Sequence, residues 1–272
     1  MFKNTKYILI FGLISLSLFC VGFQLINLIE RYNEDLGFQL INSSIEIVVS
    51  RYNEDLEWLN KYPFSKFPVI CYNKGQNDDY NVINLKKSID LKNVGRESHT
   101  YLYHIIENYE NLADVTIFLP GSANSSAYNK YTRATMLVDE VSKHKNTVII
   151  GVKHENVRND LYNFKMESYV STTPINNKIN PETNLELSKI RPYGKWYDTK
   201  FKDVKIQYIC YSGIISVCKK HILQHSKQYY INLINELSTS SNPEVGHYFE
   251  RSWVAIFSPL TDAKYINATK LF

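Results

Sequence analysis

The feature that most constrains the fold of this chain is a strand-like run that ends abruptly in polar residues. Residues 45–50, Ile-Glu-Ile-Val-Val-Ser, are mostly β-branched, and the polar cluster 51–55 follows them directly. Leu56-Glu57-Trp58-Leu59 then has the composition of a helix start. A short apolar run bounded by turn residues predicts a buried strand, and ligands of α/β proteins bind at the carboxyl ends of such strands. The sequence therefore predicts a strand, a binding loop and a helix in succession.

A partial duplication precedes this strand. The phrase Arg-Tyr-Asn-Glu-Asp-Leu occurs at 31–36 and again at 51–56, and Phe-Gln-Leu-Ile-Asn occurs at 23–27 and at 38–42. The first copy lacks the β-branched run, so it cannot form the same strand and loop. Two copies are also too few for a solenoid, which needs at least three repeats. We interpret the first copy as part of a linker.

The N-terminus predicts a membrane anchor. Lys3 and Lys6 precede a segment from 7 to 29 that contains no charged residue. A spanning helix needs about 20 mostly apolar residues, and lysines on the short leading side place that side in the cytosol. The sequence thus predicts a cytosolic tail at 1–6, a transmembrane signal anchor at 7–29, a stem at 30–44 and a lumenal or extracellular domain. A cleaved signal peptide is the alternative.

Composition predicts one globular domain beyond the stem. The chain has 272 residues, of which 44% are hydrophobic, and its net charge is only +4. Such a chain can bury one substantial core. Its lysines and arginines are scattered rather than gathered on one face, which argues against nucleic acid as a partner. The fold class that we predict is α/β, a single Rossmann-like domain at 45–272 with a mostly parallel central sheet, preceded by one transmembrane helix.

Strand-like and helix-like patterns alternate along this domain, as expected for βαβ units. Between 153 and 203 the pattern weakens, which predicts a functional loop or lid. A turn at Ser212-Gly213 is expected to lead from the last central strand into a helix. The predicted strands are 67–72, 114–119, 147–152 and 206–210, and the predicted helices are 96–109, 131–144, 214–224, 227–237 and 243–257.

Neither the cysteines nor the histidines predict a metal site. Cys71, Cys210 and Cys218 are expected to be small buried residues, with a disulfide between the last two as an alternative in an oxidising lumen. His221 and His225 have helical i, i+4 spacing, but the Glu of a His-Glu-x-x-His motif is missing. We therefore predict no metal ligands and assign no cofactor.

The polar residues at two turns are candidates for nucleotide binding. Arg51, Asn53 and Asp55 follow the first strand, where short polar groups face the crevice of the sheet and would contact a base and ribose. Asp55 equally suits the cap of the helix that begins after it. Arg96 follows a glycine at a helix start, where it would contact phosphate, or else it forms a surface salt bridge with Glu97.

The last predicted helix, 243–257, has a clear core face. At 100° per residue, an apolar stripe that includes Phe249 and Trp253 forms this face. Glu244 and Arg251 are predicted to lie on the opposite, solvated side.

Glu250 lies on the shoulder of the same helix, with His247 one turn earlier. A carboxylate at an apolar shoulder is expected to have a raised pKa, which suits a general base. The alternative is a structural Glu that is bonded to a neighbouring loop or to an arginine. His247 is predicted to be a hydrogen-bonding partner rather than a metal ligand.

Long ordered motifs across the domain resemble those of one uncharacterised family. They are 48–56, Tyr72-Asn73-Lys74-Gly75, 93–102 and 242–253, which includes Asn-Pro-Glu-Val-Gly-His-Tyr-Phe-Glu-Arg-Ser-Trp. The set resembles the domain-of-unknown-function 3431 family over nearly all of residues 45 to 260. That resemblance alone implies no activity.

The layout also resembles the GT-A class of nucleotide-sugar glycosyltransferases. This resemblance implies a nucleotide-sugar donor, a glycan or protein acceptor, Gly213 as the turn before the acceptor-side helix, and Glu250 as the catalytic base. The class has an Asp-x-Asp metal motif after the strand that corresponds to 115–119, whereas this chain has Pro120-Gly121-Ser122 there. We therefore predict a membrane-anchored transferase-like protein, with a non-catalytic glycan-binding or adaptor module as the alternative. A transferase requires one cleft lined by Arg51, Asp55, Arg96, Gly213 and Glu250, and scattered positions would favour the adaptor.

Overall fold

The strand predicted at the start of the domain lies in the middle of the larger sheet. The structure, a computed structural model, describes residues 44–153, 161–167, 185–205 and 208–271. In it, strand β1 spans Ile45–Arg51 and all seven of its residues are buried. Parallel strands flank it on both sides. The predicted tail, anchor and stem lie outside the described residues, apart from Ser44.

The central sheet has five strands in the order β3-β2-β1-β4-β7, and only β7 is antiparallel to its neighbour. A smaller sheet has the order β6-β5-β8. Within the described residues, this confirms a mixed α/β fold with a mostly parallel central sheet. The strands after β1 are β2 Val69–Asn73, β3 Leu85–Asp90, β4 Val115–Pro120, β5 Val148–Lys153, β6 Tyr208–Ile209, β7 Ile215–Cys218 and β8 Lys264–Asn267.

Helices cover both faces of the central sheet, so apolar side chains from alternate strand positions form two core layers. One layer contains Val48 with residues of α1, α5 and α6, and the other contains Ile47 and Val49 with residues of α2. In the described ranges, no helix is both long enough and apolar enough to cross a bilayer. The helices are α1 Arg96–Glu107, α2 Lys130–His144, α3 Tyr193–Phe201, α4 Lys219–Ile222, α5 Lys227–Ile234 and α6 Glu244–Ile256.

The prediction for residues 206–224 was wrong in two respects. β6 belongs to the smaller sheet, where it pairs antiparallel with β5, so it is not a central strand. The predicted helix at 214–224 is instead strand β7 followed by the single helical turn α4. Ile215 and Val217 are β-branched and stiff at χ1, which favours a strand once β4 offers a pairing edge. Residues 206 and 207 lie outside the described ranges.

The prediction of an irregular stretch from 153 to 203 was also incomplete. Helix α3 lies within it, and Tyr193, Trp196 and Tyr197 on this helix are buried in the core. Residues 154–160 and 168–184, which belong to the predicted lid, lie outside the described ranges. The aromatic side chains of α3 therefore serve packing rather than exposed stacking on a ligand.

The predicted solvated side of the last helix is covered by protein. Glu244, at the start of α6, is completely buried. Its carboxylate accepts from the backbone N–H groups of Met166 and Ser188, both at 2.9 Å, and from the Tyr248 hydroxyl at 2.8 Å. Arg191 Nε lies 2.7 Å from its Oε2. The prediction that Glu244 is solvated was wrong because segments distant in sequence fold over this face.

Candidate functional site

The carboxyl ends of β1 and β4 meet where the connections of the central sheet change direction. From β1 the chain continues to β2 on one side, and after β3 it crosses to β4 on the other side. Ligands of open α/β sheets bind in the crevice at such a switch point. The end of β1 and the loop after it carry three of the seven predicted site residues, namely Arg51, Asn53 and Asp55.

Arg51 ends β1 and joins the loop after β1 to the loop after β2. Its Nε donates to the Glu54 carbonyl oxygen at 2.8 Å, and its Nη1 donates to Asn73 Oδ1 at 2.9 Å. Nη1 also donates to the Asn77 carbonyl oxygen, and Nη2 lies 3.3 Å from Asn77 Oδ1. The guanidinium is 4.4 Å from the centre of the Tyr80 ring. Arg51 thus lies at the predicted strand end, and most of its N–H groups donate within the protein.

Asn53 and Asp55 also make local contacts in this loop. Asn53 adopts a left-handed backbone conformation, φ 60°, and its Oδ1 accepts from the Asn77 N–H at 2.9 Å. Asp55 is exposed, and its Oδ1 accepts from the Glu57 N–H at 2.9 Å at the start of a 3₁₀ turn. Asp55 thus contacts the first residue of the 3₁₀ turn Glu57–Asn60, whose N-cap residue is Leu56, and the α-helix that Asp55 was considered to cap does not begin there.

The loop after β4 packs closely on the loop after β1. A Cβ atom at Gly121 would be only 2.7 Å from Glu54 Oε2 and 3.2 Å from Arg51 Cα. Trp58 Nε1 donates to the Gly121 carbonyl oxygen at 3.2 Å. A side chain at position 121 would therefore displace the Glu54 carboxylate and tighten the contact with the first loop. In the part of the chain that the structure describes, no three His, Cys, Asp or Glu side chains are grouped to hold a metal ion.

Lys74, at the end of β2, supports the turn that presents Arg96. Its Nζ donates to the carbonyl oxygens of Val94 at 2.6 Å and of Arg96 at 2.5 Å. Gly95 and Arg96 both have positive φ angles, 59° and 54°. Burial lowers the pKa of the Lys74 ammonium to about 7, although the nearby Glu97 carboxylate acts in the opposite direction. The buried lysine thereby stabilises a turn whose backbone is otherwise strained.

Arg96 points toward α6 rather than into solvent. Its Nη1 is 3.3 Å from Asn242 Oδ1, and its Nε is 3.7 Å from Glu97 Oε2. A Cβ atom at Gly246 would lie 3.5 Å from the Arg96 Cδ atom. The ion pair with Glu97 that we considered as the alternative is present. It does not exclude a phosphate contact, because a guanidinium has five N–H donors.

The predicted turn at Gly213 lies between α1 and α6. Gly213 has a φ of 63°, and a Cβ atom there would be 2.7 Å from Glu97 Cγ. The Tyr101 hydroxyl donates to the Gly213 carbonyl oxygen at 2.7 Å. The backbone N–H of Ser212 donates to Glu250 Oε1. Gly213 thus follows the residue that donates to Glu250, but strand β7 rather than the expected helix comes after this turn.

Glu250 is an ionised carboxylate, which corrects the prediction of a raised pKa. Burial alone would raise the pKa of this group, but His247, Arg251 and the Ser212 N–H together lower it to about 2. Arg251 Nη1 lies 3.5 Å and His247 Nδ1 lies 3.9 Å from Glu250 Oε2. Burial lowers the pKa of His247, while Glu250 opposes this shift. The low pKa arises because the desolvation cost is outweighed by a cation and by donors that the helix pattern did not reveal.

Two basic residues at the start of α2, which follows the β4 loop, complete the site. Arg133 is fully buried, and it donates from Nη1 to the Tyr211 carbonyl oxygen and from Nη2 to Ser212 Oγ, both at 2.9 Å. Lys130 Nζ lies 3.4 Å from Ser122 Oγ. Neither residue was predicted. The sequence pattern that could have identified them is a pair of basic residues in the first turn of a helix that directly follows the loop at the end of a strand.

We call Arg96, Glu97, Lys130, Arg133 and Glu250 the switch-point cluster. Burial lowers the pKa of the Lys130 ammonium; Glu97 and Glu250 raise it, and Arg96 and Arg133 lower it. The Ser212-Gly213 turn connects four of these residues, because Arg133 and Glu250 contact Ser212, Glu97 lies beside Gly213, and Arg96 pairs with Glu97. Of the predicted residues, the structure brings together Arg96, Gly213, His247 and Glu250. It places Arg51 and Asn53 in the neighbouring loops, and Asp55 on an exposed turn.

The Glu250 carboxylate predicts acid-sensitive stability. Its pKa is about 2 in the folded chain and about 4.3 in an unfolded one. A depressed folded pKa contributes stability that is complete above the unfolded pKa and is lost as the pH falls toward the folded pKa. We expect wild type to lose roughly 2–3 kcal/mol relative to Glu250→Gln between about pH 5 and pH 2, measured by urea denaturation. Parallel pH profiles for the two proteins would contradict this account.

Comparison with known protein families identifies the domain. A family described as Protein of unknown function (DUF3431) matches residues 47–269. The chain belongs to this family. No curated protein matches the chain. The description of DUF3431 names no activity, so a function for this DUF3431 protein rests on the geometry of its site.

Proposed function

We propose that this DUF3431 protein binds a nucleotide sugar at the switch-point cluster and transfers the sugar to an acceptor hydroxyl. The observation that carries the proposal is the convergence of charged side chains on the Ser212-Gly213 turn. Arg133 and Glu250 both contact Ser212, Glu97 lies beside Gly213, and Arg96 Nε lies 3.7 Å from Glu97 Oε2. In this proposal the domain has a Rossmann-like, GT-A-type layout. The segment 7–29 anchors it in a membrane, with the bulk of the chain lumenal or extracellular.

Charge supports a diphosphate as the ligand of the cluster. Together with Arg251, which lies 3.5 Å from Glu250 Oε2, the cluster contains four cations and two carboxylates, and the Lys74 ammonium, which donates to the Arg96 carbonyl oxygen, adds further positive charge. This net positive charge suits the negative charge of a nucleoside diphosphate ester. Arginine forks and ammonium groups stabilise phosphate oxygens and a departing diphosphate without reorganisation during the reaction. Arg96, Lys130 and Arg251 would supply this stabilisation, while Arg133 holds the Ser212 turn.

The loops after β1 and β2 would form the nucleoside side of the site. Arg51 and Asn53 shape these loops through the hydrogen bonds described above, so their role in the proposal is to position backbone and neighbouring side chains around the base and ribose. Asp55 is exposed and can contact a ribose only from the rim. A pre-formed loop suits binding because little conformational freedom is lost when the ligand enters.

Glu250 would accept the proton of the acceptor hydroxyl. In the transfer, the acceptor oxygen forms a bond to the anomeric carbon, the bond from that carbon to the diphosphate oxygen breaks, and the hydroxyl proton passes to Glu250. The nucleoside diphosphate leaves with its charge held by the cations. A bound diphosphate adds negative charge near Glu250, and this raises the pKa of the carboxyl toward a range better suited to a base.

A binding module without turnover is the second candidate, and the free protein provides the observation that favours it. The pKa of Glu250 is about 2 because burial is outweighed by His247, Arg251 and the Ser212 N–H. So weakly basic a carboxylate is a poor proton acceptor unless the ligand changes its surroundings. Donor binding without sugar transfer or donor hydrolysis would identify this module.

Calorimetric titration of the full-length chain tests the proposed ligand class. The panel would contain nucleotide sugars, the matching nucleoside diphosphates and the matching nucleosides. We expect nucleotide sugars and diphosphates to bind and nucleosides to bind far more weakly, because the cluster recognises the phosphates. Absence of binding by every member would remove both the transferase and the donor-binding module.

Lys130→Gln is expected to weaken diphosphate binding by roughly 10-fold or more, since one charge-assisted contact to an anion contributes about 1.5–3 kcal/mol. Its Nζ makes one long contact, to Ser122 Oγ at 3.4 Å, so the fold should tolerate the change. Lys143→Gln is the matched control, because it removes a lysine near the other end of α2 whose side chain is 64% exposed. Equal affinities for the two variants would show that the diphosphate binds elsewhere.

A further inference from the structure

A separate pocket lies at the opposite edge of the central sheet from the switch-point cluster. β7 is antiparallel to β4, and Cys218 pairs with Val115, the first residue of β4. The pocket at this edge has a volume of about 420 Å³, and Cys218, Lys219 and Lys220 are among the residues that line it. It is therefore distinct from the carboxyl edge where the proposed donor site lies.

Cys218 contacts an imidazole that itself lies next to a carboxylate. Cys218 Sγ is 3.2 Å from His221 Nδ1, and His221 Nε2 is 3.1 Å from Asp262 Oδ1. The carboxylate is close to the imidazole but not aligned for a full hydrogen bond. The three-residue spacing arises because α4 begins directly after β7. A thiol, an imidazole and an orienting carboxylate, in this order, form the arrangement that activates a cysteine as a nucleophile.

The groups around His221 favour a proton on one imidazole nitrogen. Nε2 faces the Asp262 carboxylate at 3.1 Å, and this negative charge favours a proton there. Thr147 Oγ1 accepts from the Cys218 N–H at 2.8 Å and lies 2.7 Å from His221 Nδ1. With the proton on Nε2, the ring has one lone pair at Nδ1, which lies within reach of both the Thr147 hydroxyl and the Cys218 thiol. Burial lowers the pKa of His221, although Asp262 opposes the shift, so the ring is neutral and able to accept a proton at pH 7.

The charges around the pocket favour an anionic partner. Lys145, Lys219 and Lys220 line the pocket together with one carboxylate, that of Asp114. Lys220 also pairs with Asp262. An excess of cations in the lining attracts ligands of negative charge.

The other cysteines of the described domain provide a contrast. Burial raises the pKa of Cys71 to about 11 and that of Cys210 to about 12, and both thiols therefore stay protonated. All three cysteines are free and buried, as the sequence predicted for each. Only Cys218 among them combines a histidine contact with a place in the lining of this lysine-bearing pocket.

We propose that Cys218 is a nucleophilic thiol, with His221 as its proton acceptor, that undergoes thiol–disulfide exchange with small carboxylate-bearing disulfides. The Cys218 proton passes to His221 Nδ1, and the thiolate attacks one sulfur of the disulfide. The disulfide bond breaks, a new bond joins Cys218 to one half, and the other half leaves as a thiolate that takes the proton from His221. The products are a mixed disulfide on Cys218 and one free small thiol.

The test uses the native full-length chain with two disulfides of opposite charge, oxidised glutathione and cystamine. Mixed-disulfide formation at each cysteine is followed by peptide mass spectrometry, which separates Cys218 from Cys71, Cys210 and Cys20. We expect Cys218 to react at least about tenfold faster than Cys71 and Cys210, and faster with oxidised glutathione than with the smaller, cationic cystamine. The same rate for all three buried cysteines, or a reaction only after unfolding, would overturn the proposal.

Two variants distinguish activation of the Cys218 thiol by His221 from simple accessibility of this thiol to the disulfide. His221→Gln should slow the reaction of Cys218 by about tenfold or more, because the proton acceptor is removed. Lys219→Gln should instead reduce the preference for oxidised glutathione over cystamine without removing reactivity. If His221→Gln folds, as judged by its thermal unfolding, and reacts as fast as wild type, then His221 is not the base and the proposal fails. If it does not fold, the comparison of cysteines within the wild-type chain decides alone.

Discussion

Glu250→Gln is expected to lower sugar transfer by about 100-fold or more while leaving donor binding intact or slightly tighter. Gln keeps the shape of the side chain and an oxygen that can accept from the Ser212 N–H. It cannot take the proton of the acceptor hydroxyl. Removing one negative charge from the switch-point cluster also favours an anionic donor, so loss of turnover and retention of affinity should occur together.

Two measurements on the same protein separate this outcome from loss of structure. Donor affinity is obtained by calorimetry and turnover by release of the nucleoside diphosphate. Glu110→Gln is the control, because it removes an exposed carboxylate just beyond the end of α1. An unchanged turnover in Glu250→Gln would exclude Glu250 as the proton acceptor. Simultaneous loss of affinity and turnover would indicate a structural role.

Glu244→Gln is expected to destabilise the fold by about 3 kcal/mol, because breaking a buried ion pair leaves its partner uncompensated. Burial would raise the pKa of Glu244, but the N–H groups of Met166 and Ser188, with Tyr248 and Arg191, lower it. An amide would direct N–H donors toward some of these N–H groups. For a domain of this size, the melting temperature should fall by roughly 6–12 °C.

The matched control for this change is Glu167→Gln. Glu167 also pairs with Arg191, at 3.3 Å, but its side chain is 72% exposed. Exposed ion pairs contribute about 0–1 kcal/mol, so this variant should melt close to wild type. Similar melting temperatures for both variants would show that Arg191, rather than the buried carboxylate, dominates the network.

Much of the fold was predictable because local patterns agreed with the final packing. The β-branched run became β1, and the apolar positions Tyr101, Leu102 and Ile105 lie on the buried face of α1. The bounds of α6 were predicted to within about one residue. The edge strand β3 was missed because five of its six residues are exposed, so it lacks the apolar pattern of a buried strand.

The site was predictable in position but not in its electrostatics. Strand ends located Arg51 and Asn53, and a glycine at a helix start located Arg96. The roles of these residues depend on partners that lie far away in sequence, such as Asn242 for Arg96. The pKa of Glu250 was predicted in the wrong direction because the helix pattern does not give the strength of its contacts. Burial raises this pKa, but His247 and Arg251 on the same helix, together with the distant Ser212 N–H, lower it by more.

The sequence by itself determined most of the buried strands and amphipathic helices, with β7 as an exception, since that choice depends largely on the periodicity of neighbouring residues. Only the tertiary structure decided which side of α6 is solvated, whether residues 215–218 form a strand, and which charges surround Glu250 and Cys218. These outcomes depend on contacts such as the one between His221 and Asp262, which lie 41 positions apart in the numbering of the chain. Charge–charge interactions and the pairing of strands depend on distances between residues in the folded chain, and the local sequence pattern does not give those distances.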